Sequence, residues 1–315
     1  MQFHDIDSFY TYLQSQQTAQ KYLLNCYKRI DGVDAEVKSY ENCNVFLYYL
    51  EHGRHYYEAG KQLDMVIKPV MFFYGMAHLL KASILTIRPN YPESTTVLAH
   101  GVSTRKRKKK NYTFLEDEVK IQHNGLFPYF SEHLFKMKNI PFEKITMNAL
   151  LKLIPELIVL FQFEQDESLM HIGEIGDTTI TIHKSICDDL NLTENAFMKR
   201  LEGYLPSIET MKSNANDITI QLNEPFLDVK GPFFVHSNQS IYIPKDREYF
   251  YPLSEIMIHY LLLYNLSMLS RYEAEWWGDL LTAKPDLDYP LIKAFLSITQ
   301  SKIPLLIGNL LYQNK

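Results

Sequence analysis

Cysteine is scarce and scattered. Cys26, Cys43 and Cys187 are the only three in 315 residues, and no two form a CxxC pair. That excludes a disulfide framework and a cysteine-ligated zinc site of the usual spacing. The first ten residues, MQFHDIDSFY, carry two acids and no apolar core, so they do not read as a signal peptide. Long apolar runs are missing too. The most apolar stretch, Ile256 to Leu269, is broken by His259, Asn265 and Ser267 and is too short to span a bilayer. A reducing, cytoplasmic setting without a membrane partner is expected. The net charge of -5 argues against the domain-wide basic footprint of a general nucleic-acid binder.

The usual chemical motifs are also missing. There is no GxGxxG, GxSxG, HExxH or kinase signature, and Gly60-Lys61 is not followed by the Ser or Thr of a phosphate loop. Gly173 and Gly176 frame a GxxG, but Glu174 inside it would repel a phosphate backbone. His52 and His55, with Cys43 upstream, read as a surface pair beside Arg54 rather than metal ligands, because no fourth ligand is in view. No catalytic residue, metal or cofactor is assigned on this reading.

What is present is the composition of an ordinary globular chain, 46% hydrophobic and 22% charged, long enough for a sizeable core. Apolar residues recur every three or four positions in DSFYTYLQSQQTAQKYLLNCYKRI, from about Cys43 to Gly60, and from about Val66 to Ile87, where Pro89 enforces a stop. PESTTVLAHG reads as a short helix with Gly101 just past its end. In EVKIQHNGLFPYF, Val119 and Ile121 alternate with Lys120 and Gln122, and Asn124-Gly125 predicts a hairpin turn. TTITIH (178–183), ITIQL (218–222), FFVH (233–236) and IYI (241–243) predict further strands, with helices around 146–163 and 192–203 between some of them. From Pro252 onward the pattern is helical again. The expected fold is α+β and mostly helical. A helical region 1–110 and a helical region 251–315 share one core, around a mixed region 111–250 of short antiparallel strands, all within one compact unit.

Two charged features stand out. Arg105, Lys106, Arg107, Lys108, Lys109 and Lys110 are six consecutive cations, followed closely by Glu116, Asp117 and Glu118. Such a run is a solvated loop, a docking patch for an acidic protein, or a nucleic-acid contact on which Tyr112 and Phe114 stack against bases. On the helix ending at Ile87, at about 100° per residue, Tyr74, His78, Lys81 and Arg88 fall in one stripe while most of the rest is apolar. The stripe is either the wet face of a buried helix or a cationic seam that, with His100, receives an anion: a phosphate, a nucleotide or an acidic protein surface. Farther on, Arg271, Tyr272, Trp276 and Trp277 close a helix that is apolar nearly all round. Adjacent tryptophans cannot share a face, so one, taken here as Trp276, reaches a surface where a partner binds.

FFYGMAHLLKASILT, RPNYPESTTVLAHGVSTRKRKKK, VKIQHNGLFPYF and YLLLYNLSMLSRYEAEWW together resemble the YaaC-like protein family of Bacillus-type bacteria. The resemblance runs nearly full length and is strongest over 66–127 and 251–277. It implies a cytoplasmic bacterial protein whose gene lies beside that of IMP dehydrogenase, and so a role in binding or regulating that purine-synthesis enzyme. No catalytic residues come with it. YGMAHLLKA with a downstream His-Gly also resembles HEPN-type helical domains, but none of the eight arginines is followed by a histidine at the spacing of the HEPN nucleases. The expectation is therefore a non-enzymatic regulatory protein with a cationic surface and an acidic partner, IMP dehydrogenase being the candidate. The alternative is an RNA- or nucleotide-binding protein on a HEPN-like scaffold.

Overall fold

The computed structural model describes residues 3–105 and 112–315. Among them the order is α1 (Phe3–Tyr12), α2 (Gln16–Tyr27), α3 (Ala35–Gln62), α4 (Lys68–Ile87), β1 (Val102–Thr104), β2 (Glu118–Ile121), α5 (Leu126–Phe135), β3 (Lys144–Thr146), α6 (Met147–Leu151), α7 (Ile158–Phe163), β4 (Leu169–Glu174), β5 (Thr179–His183), α8 (Ser185–Asp189), α9 (Glu194–Leu201), β6 (Ile208–Ser213), β7 (Asp217–Leu222), β8 (Phe234–Val235), β9 (Ser240–Pro244), α10 (Glu255–Tyr272), α11 (Ala274–Ala283) and α12 (Asp288–Gln313). The protein is α+β and mostly helical, with small antiparallel sheets. It divides into two compact units, residues 1–145 with 259–315, and residues 146–258. The strand pair 102–121 thus belongs to the first unit, and the central unit starts at 146 rather than 111.

In the first unit the N- and C-terminal helices make one core. Tyr10 Oη donates to the Pro304 carbonyl at 2.8 Å and Tyr22 Oη to that of Leu311 at 2.7 Å, tying α1 and α2 to α12 across nearly the whole chain. The first predicted helix is two helices, because the Ser15 hydroxyl accepts from the Thr18 N–H and starts α2 afresh. Helix α4 is the apolar centre, with Phe72, Phe73, Met76, Leu79 and Leu80 at 0% exposure. Helices α4 and α12 are each long and apolar enough to cross a membrane by length and composition. In the structure both contribute buried residues to this core.

Strands β1 and β2 pair antiparallel, Val102 opposite Ile121, and β3 is the third strand of that sheet. Asn124-Gly125 is not the turn of a hairpin. Gly125 instead starts α5, at φ 127°, because its Cα packs against Gly101. PESTTVLAHG holds a single 3-10 turn, Thr95–Leu98.

The second unit is built from alternation. Strands β5 and β7 pair antiparallel and send Ile180, Ile182, Ile218 and Ile220 inward. Two three-stranded sheets, β4-β9-β8 and β5-β7-β6, enclose these isoleucines together with Phe197, Leu201, Phe226 and Ile243. Strand β6 is an exposed edge, so it lacks the alternation that makes a strand visible in sequence.

Candidate functional site

The site begins with two glycines. Helices α3 and α4 run antiparallel through a short connection. At Gly53 an added Cβ would lie 2.6 Å from Leu79 Cγ, and at Gly75 2.9 Å from Tyr57 Cδ2. With no side chains at these two points the helices approach closely. The stripes beside the contact then meet: Tyr49, His52 and Tyr56 of α3 at i, i+3 and i+7, and Tyr74, His78 and Lys81 of α4 at i, i+4 and i+7.

Three rings of α3 surround the His78 imidazole. Tyr56 lies near-parallel to it at a centroid distance of 5.7 Å, His52 edge-on at 5.5 Å and Tyr49 tilted at 5.9 Å. His78 Nδ1 is buried and has no hydrogen-bond partner among the described residues. Burial first, then the charge of Lys81 and the neighbouring His52, push His78 down to about 4, so it is neutral at physiological pH. Lys81 Nζ stands 5.7 Å from the Tyr49 ring centroid, and burial lowers its pKa as well.

His100 reaches the same place from a pinned loop. The Leu126 and Phe127 N–H groups at the start of α5 donate to the carbonyls of Ala99 (2.7 Å) and His100 (3.1 Å), and Tyr260 Oη donates to the His100 carbonyl at 2.9 Å. Gly101 holds a left-handed φ of 78°, and a Cβ on Gly125 would lie 2.3 Å from Gly101 Cα. The His100 ring packs on Phe73 at 5.0 Å, Tyr264 at 5.7 Å and Tyr74 at 6.1 Å. Burial, then the charges of Arg271 and Lys81, lower its pKa.

Arg271, in the last turn of α10, completes the cluster. Its Nε donates to the Ser267 carbonyl at 2.9 Å and Nη1 to Tyr74 Oη at 3.3 Å, while Nη2 meets Met268 Sδ at 3.2 Å. The guanidinium carbon lies 5.8 Å from the Tyr74 centroid and 5.1 Å from that of Tyr272, whose side chain is 65% exposed. Three of its five N–H groups are engaged, which leaves one on each terminal nitrogen. Neither Lys81 nor Arg271 pairs with a carboxylate among the described residues.

The structure thus gathers Tyr74, His78, Lys81, His100 and Arg271. Arg88 is not part of this group. Helix α4 ends at Ile87, Arg88 leaves the helical conformation at φ -128° and ψ 81°, and its guanidinium pairs with Glu93 and lies 3.3 Å from Tyr129 Oη. Trp276 is half-buried, its ring edge-on to Tyr112 at 4.9 Å, whereas Trp277 is buried and donates from Nε1 to the Val66 carbonyl at 3.2 Å. Arg105 is exposed; Lys106, Arg107, Lys108, Lys109 and Lys110 lie outside the described residues. Phe114 is fully buried, which removes it as a stacking platform for a base.

Sequence reasoning misses Tyr49, His52 and Tyr56 as members of the seam. Their only signal is a half-polar aromatic stripe on α3, and its significance depends on which helix lies opposite. Among the described residues no group of three or more His, Cys, Asp or Glu side chains is arranged to hold a metal ion.

Neither the curated proteins nor the solved structures contain a significant match to this chain. The model of the YaaC-like proteins matches residues 11–311, which takes in both stripes, the His100 loop and Arg271. The chain belongs to the YaaC-like protein family.

Proposed function

We propose that this chain is a cytoplasmic regulatory binding protein that presents the α3–α4 seam to an acidic partner protein and performs no chemistry on it. The observation that carries the reading is the pairing state of Lys81 and Arg271. Both are half-buried cations beside neutral histidines, and neither has a carboxylate partner among the described residues. A fold that leaves cations partly desolvated and unneutralised gains when an anion arrives to complete them. The surroundings, Tyr74, Tyr272 and a half-buried Trp276, have the composition of interface hot spots. IMP dehydrogenase, from the family resemblance, is the candidate partner. Exposed Arg105 opens the six-cation run, whose role in this reading is to steer that partner electrostatically.

The test is direct binding of purified chain to IMP dehydrogenase, together with capture from native extract under RNase treatment. Capture that survives RNase, and is lost when Lys81 and Arg271 are both reversed to Glu, is the expected result. Undiminished capture by the charge-reversed protein would contradict the reading.

A second reading has its own support. The seam is walled by Tyr49, Tyr56 and Tyr74, and such rings accept bases as readily as they anchor proteins. On a HEPN-like scaffold this would be an RNA- or nucleotide-binding protein. RNA binding by the purified chain with a steep salt slope, and loss of captured partners on RNase treatment, would favour it.

A further inference from the structure

We propose that the cavity between α1 and α3 is a binding site for a small zwitterion, an apolar α-amino acid. The cavity measures about 330 Å³, at the small end of the range of roughly 300 to 1,000 Å³ that ligand pockets occupy. Leu47, Leu50, Glu51, Arg54 and Glu58 of α3 line it from one stripe of the helix, at i, i+3, i+4, i+7 and i+11. At about 100° per residue that stripe falls opposite the one formed by Tyr49, His52 and Tyr56, so the site is separate from the seam and does not rest on it. Tyr10 of α1 is a fixed wall. Its hydroxyl donates to the Pro304 carbonyl at 2.8 Å, and a Cβ added to Gly308 would lie 2.9 Å from its Cε2. The Arg54 guanidinium carbon lies 5.2 Å from the centroid of that ring.

The charges decide the ligand. Glu51 and Glu58 stand three residues before Arg54 and four after it, the spacings at which a carboxylate on a helix reaches an arginine. Neither takes it. Glu58 pairs with Lys61 at 2.8 Å. Glu51 has no ion-pair partner among the described residues, and Arg54 Nη1 is buried with no hydrogen-bond partner among them. The cavity thus lines up one open cation and one open carboxylate beside the apolar side chains of Leu47 and Leu50, with Gln14 and His55 completing its polar edge. A simple anion would be repelled by Glu51, and a simple amine by Arg54. An α-amino acid satisfies both. Its carboxylate accepts from Arg54, its ammonium donates to Glu51, and its side chain covers the two leucines. Presenting Nη1 to the carboxylate takes a rotation of the Arg54 side chain, a common scale of change on binding.

The experiment is calorimetric titration of the full chain at neutral pH with L-leucine and L-phenylalanine. The comparators are 3-methylbutylamine and 2-phenylethylamine, which lack the carboxylate, and 4-methylpentanoate and 3-phenylpropanoate, which lack the amine. Each amino acid is expected to bind at least about tenfold tighter than its own two comparators, because each comparator leaves one charge of the site without its partner. Arg54→Gln is expected to weaken the amino acids about tenfold or more, and Arg54→Lys less, since lysine keeps the charge and loses the fork. Glu51→Gln is expected to weaken the amino acids and to bring the carboxylate-only comparators level with them, because the group that repels a simple anion is gone. Thermal midpoints of the variants, read by circular dichroism, separate loss of the site from loss of the fold. A purely structural role for Arg54 and Glu51 would move the midpoints and leave the order of the probes as it is in the wild type.

If a comparator binds the wild type as tightly as its amino acid, the cavity takes a simple ion and the assignment falls. It falls as well if neither amino acid binds, or if Arg54→Gln and Glu51→Gln both bind them as the wild type does.

Discussion

The two units of the chain differ in what lies beneath a similarly paired surface. Both match cations locally: Lys152 with Asp166, Lys184 with Glu194, Lys230 with Asp228 and Lys245 with Glu167 in residues 146–258, and Lys38 with Glu41, Lys61 with Glu58, Arg88 with Glu93, Lys120 with Glu143 and Lys144 with Glu118 in the other. The interior of residues 146–258 is almost purely aliphatic and aromatic. In the other unit, buried hydroxyls tie helices together over long sequence distances, Asp288 is 2% exposed, and two half-buried cations of the seam have no carboxylate partner among the described residues. A unit that satisfies its own polar groups needs only to be stable. One that leaves cations partly desolvated is less stable than it would be with them paired, and that cost points to a ligand or a partner.

The sharpest way to break the comparison is the same substitution in each unit. Gly125→Ala drives a Cβ to 2.3 Å from Gly101 Cα, backbone against backbone, at a φ of 127°. A loss of about 3–5 kcal/mol is expected, in the range reserved for severe steric conflict. Gly176→Ala in the sheet unit meets nothing within 4 Å and carries only the strain of its φ of 93°, about 1–2 kcal/mol. Urea unfolding measures both, and equal losses would mean that the pinned His100 loop is not the constraint described here.

Smaller effects are expected from polar contacts. Tyr27→Phe removes a hydroxyl that donates to the Leu85 carbonyl at 2.9 Å and accepts from Asn42 Nδ2 at 2.9 Å, both partly or fully enclosed, so about 1–3 kcal/mol is expected. Lys230→Ala breaks a pair whose members are 71% and 60% exposed and is expected to cost about 0.5 kcal/mol or less by thermal melting. Similar losses would show that the first unit does not depend on its buried hydroxyls.

How much of this is legible in sequence follows from what each signal encodes. Thr-Ile-Thr-Ile alternation exposes β5 and β7, because one face of each is fully buried. The i, i+4, i+7 spacing places Tyr74, His78 and Lys81 on one stripe, and the structure keeps them there. Arg88 joins that stripe only if the helix is extended one residue too far, and Pro89 disfavours the helical conformation at the residue before it. Asn-Gly reads as a hairpin turn, but Gly125 is needed for close approach to Gly101, a contact 24 positions away in the sequence. The α3 half of the seam and the Arg271–Tyr74 contact are tertiary pairings, and a single sequence does not encode which stripes face each other.

The smallest expected effects are in pH dependence. His78, pushed down to about 4, resists protonation when folded, so the unfolded chain takes the proton first and stability falls as pH drops from about 6.5 toward 4. Asp288 is pushed up to about 6, chiefly by burial, against the stabilising N–H groups of Phe114 and Leu115. Its contribution has the opposite sign, full below its ordinary value of 3.8 and lost as pH rises through 6. Between pH 4 and 6 the two oppose each other. Asp288→Asn should make the melting temperature rise more steeply with pH, and His78→Gln should make it fall, each by about 2–4 °C across the window. Parallel profiles for both variants and the wild type would remove the buried titrations from the account.

The central claim is that the unpaired cations of the seam, and not charge in general, recognise the partner. The most direct measurement is the affinity of IMP dehydrogenase for two charge-reversed proteins, Lys81→Glu with Arg271→Glu in the seam, and Lys184→Glu with Lys245→Glu in the sheet unit. Both change the net charge by the same amount. The seam variant is predicted to lose at least about a hundredfold in affinity while melting within a few degrees of the wild type, and the sheet variant to bind within about threefold. Equal affinities for the two variants, with both proteins folded, would contradict it.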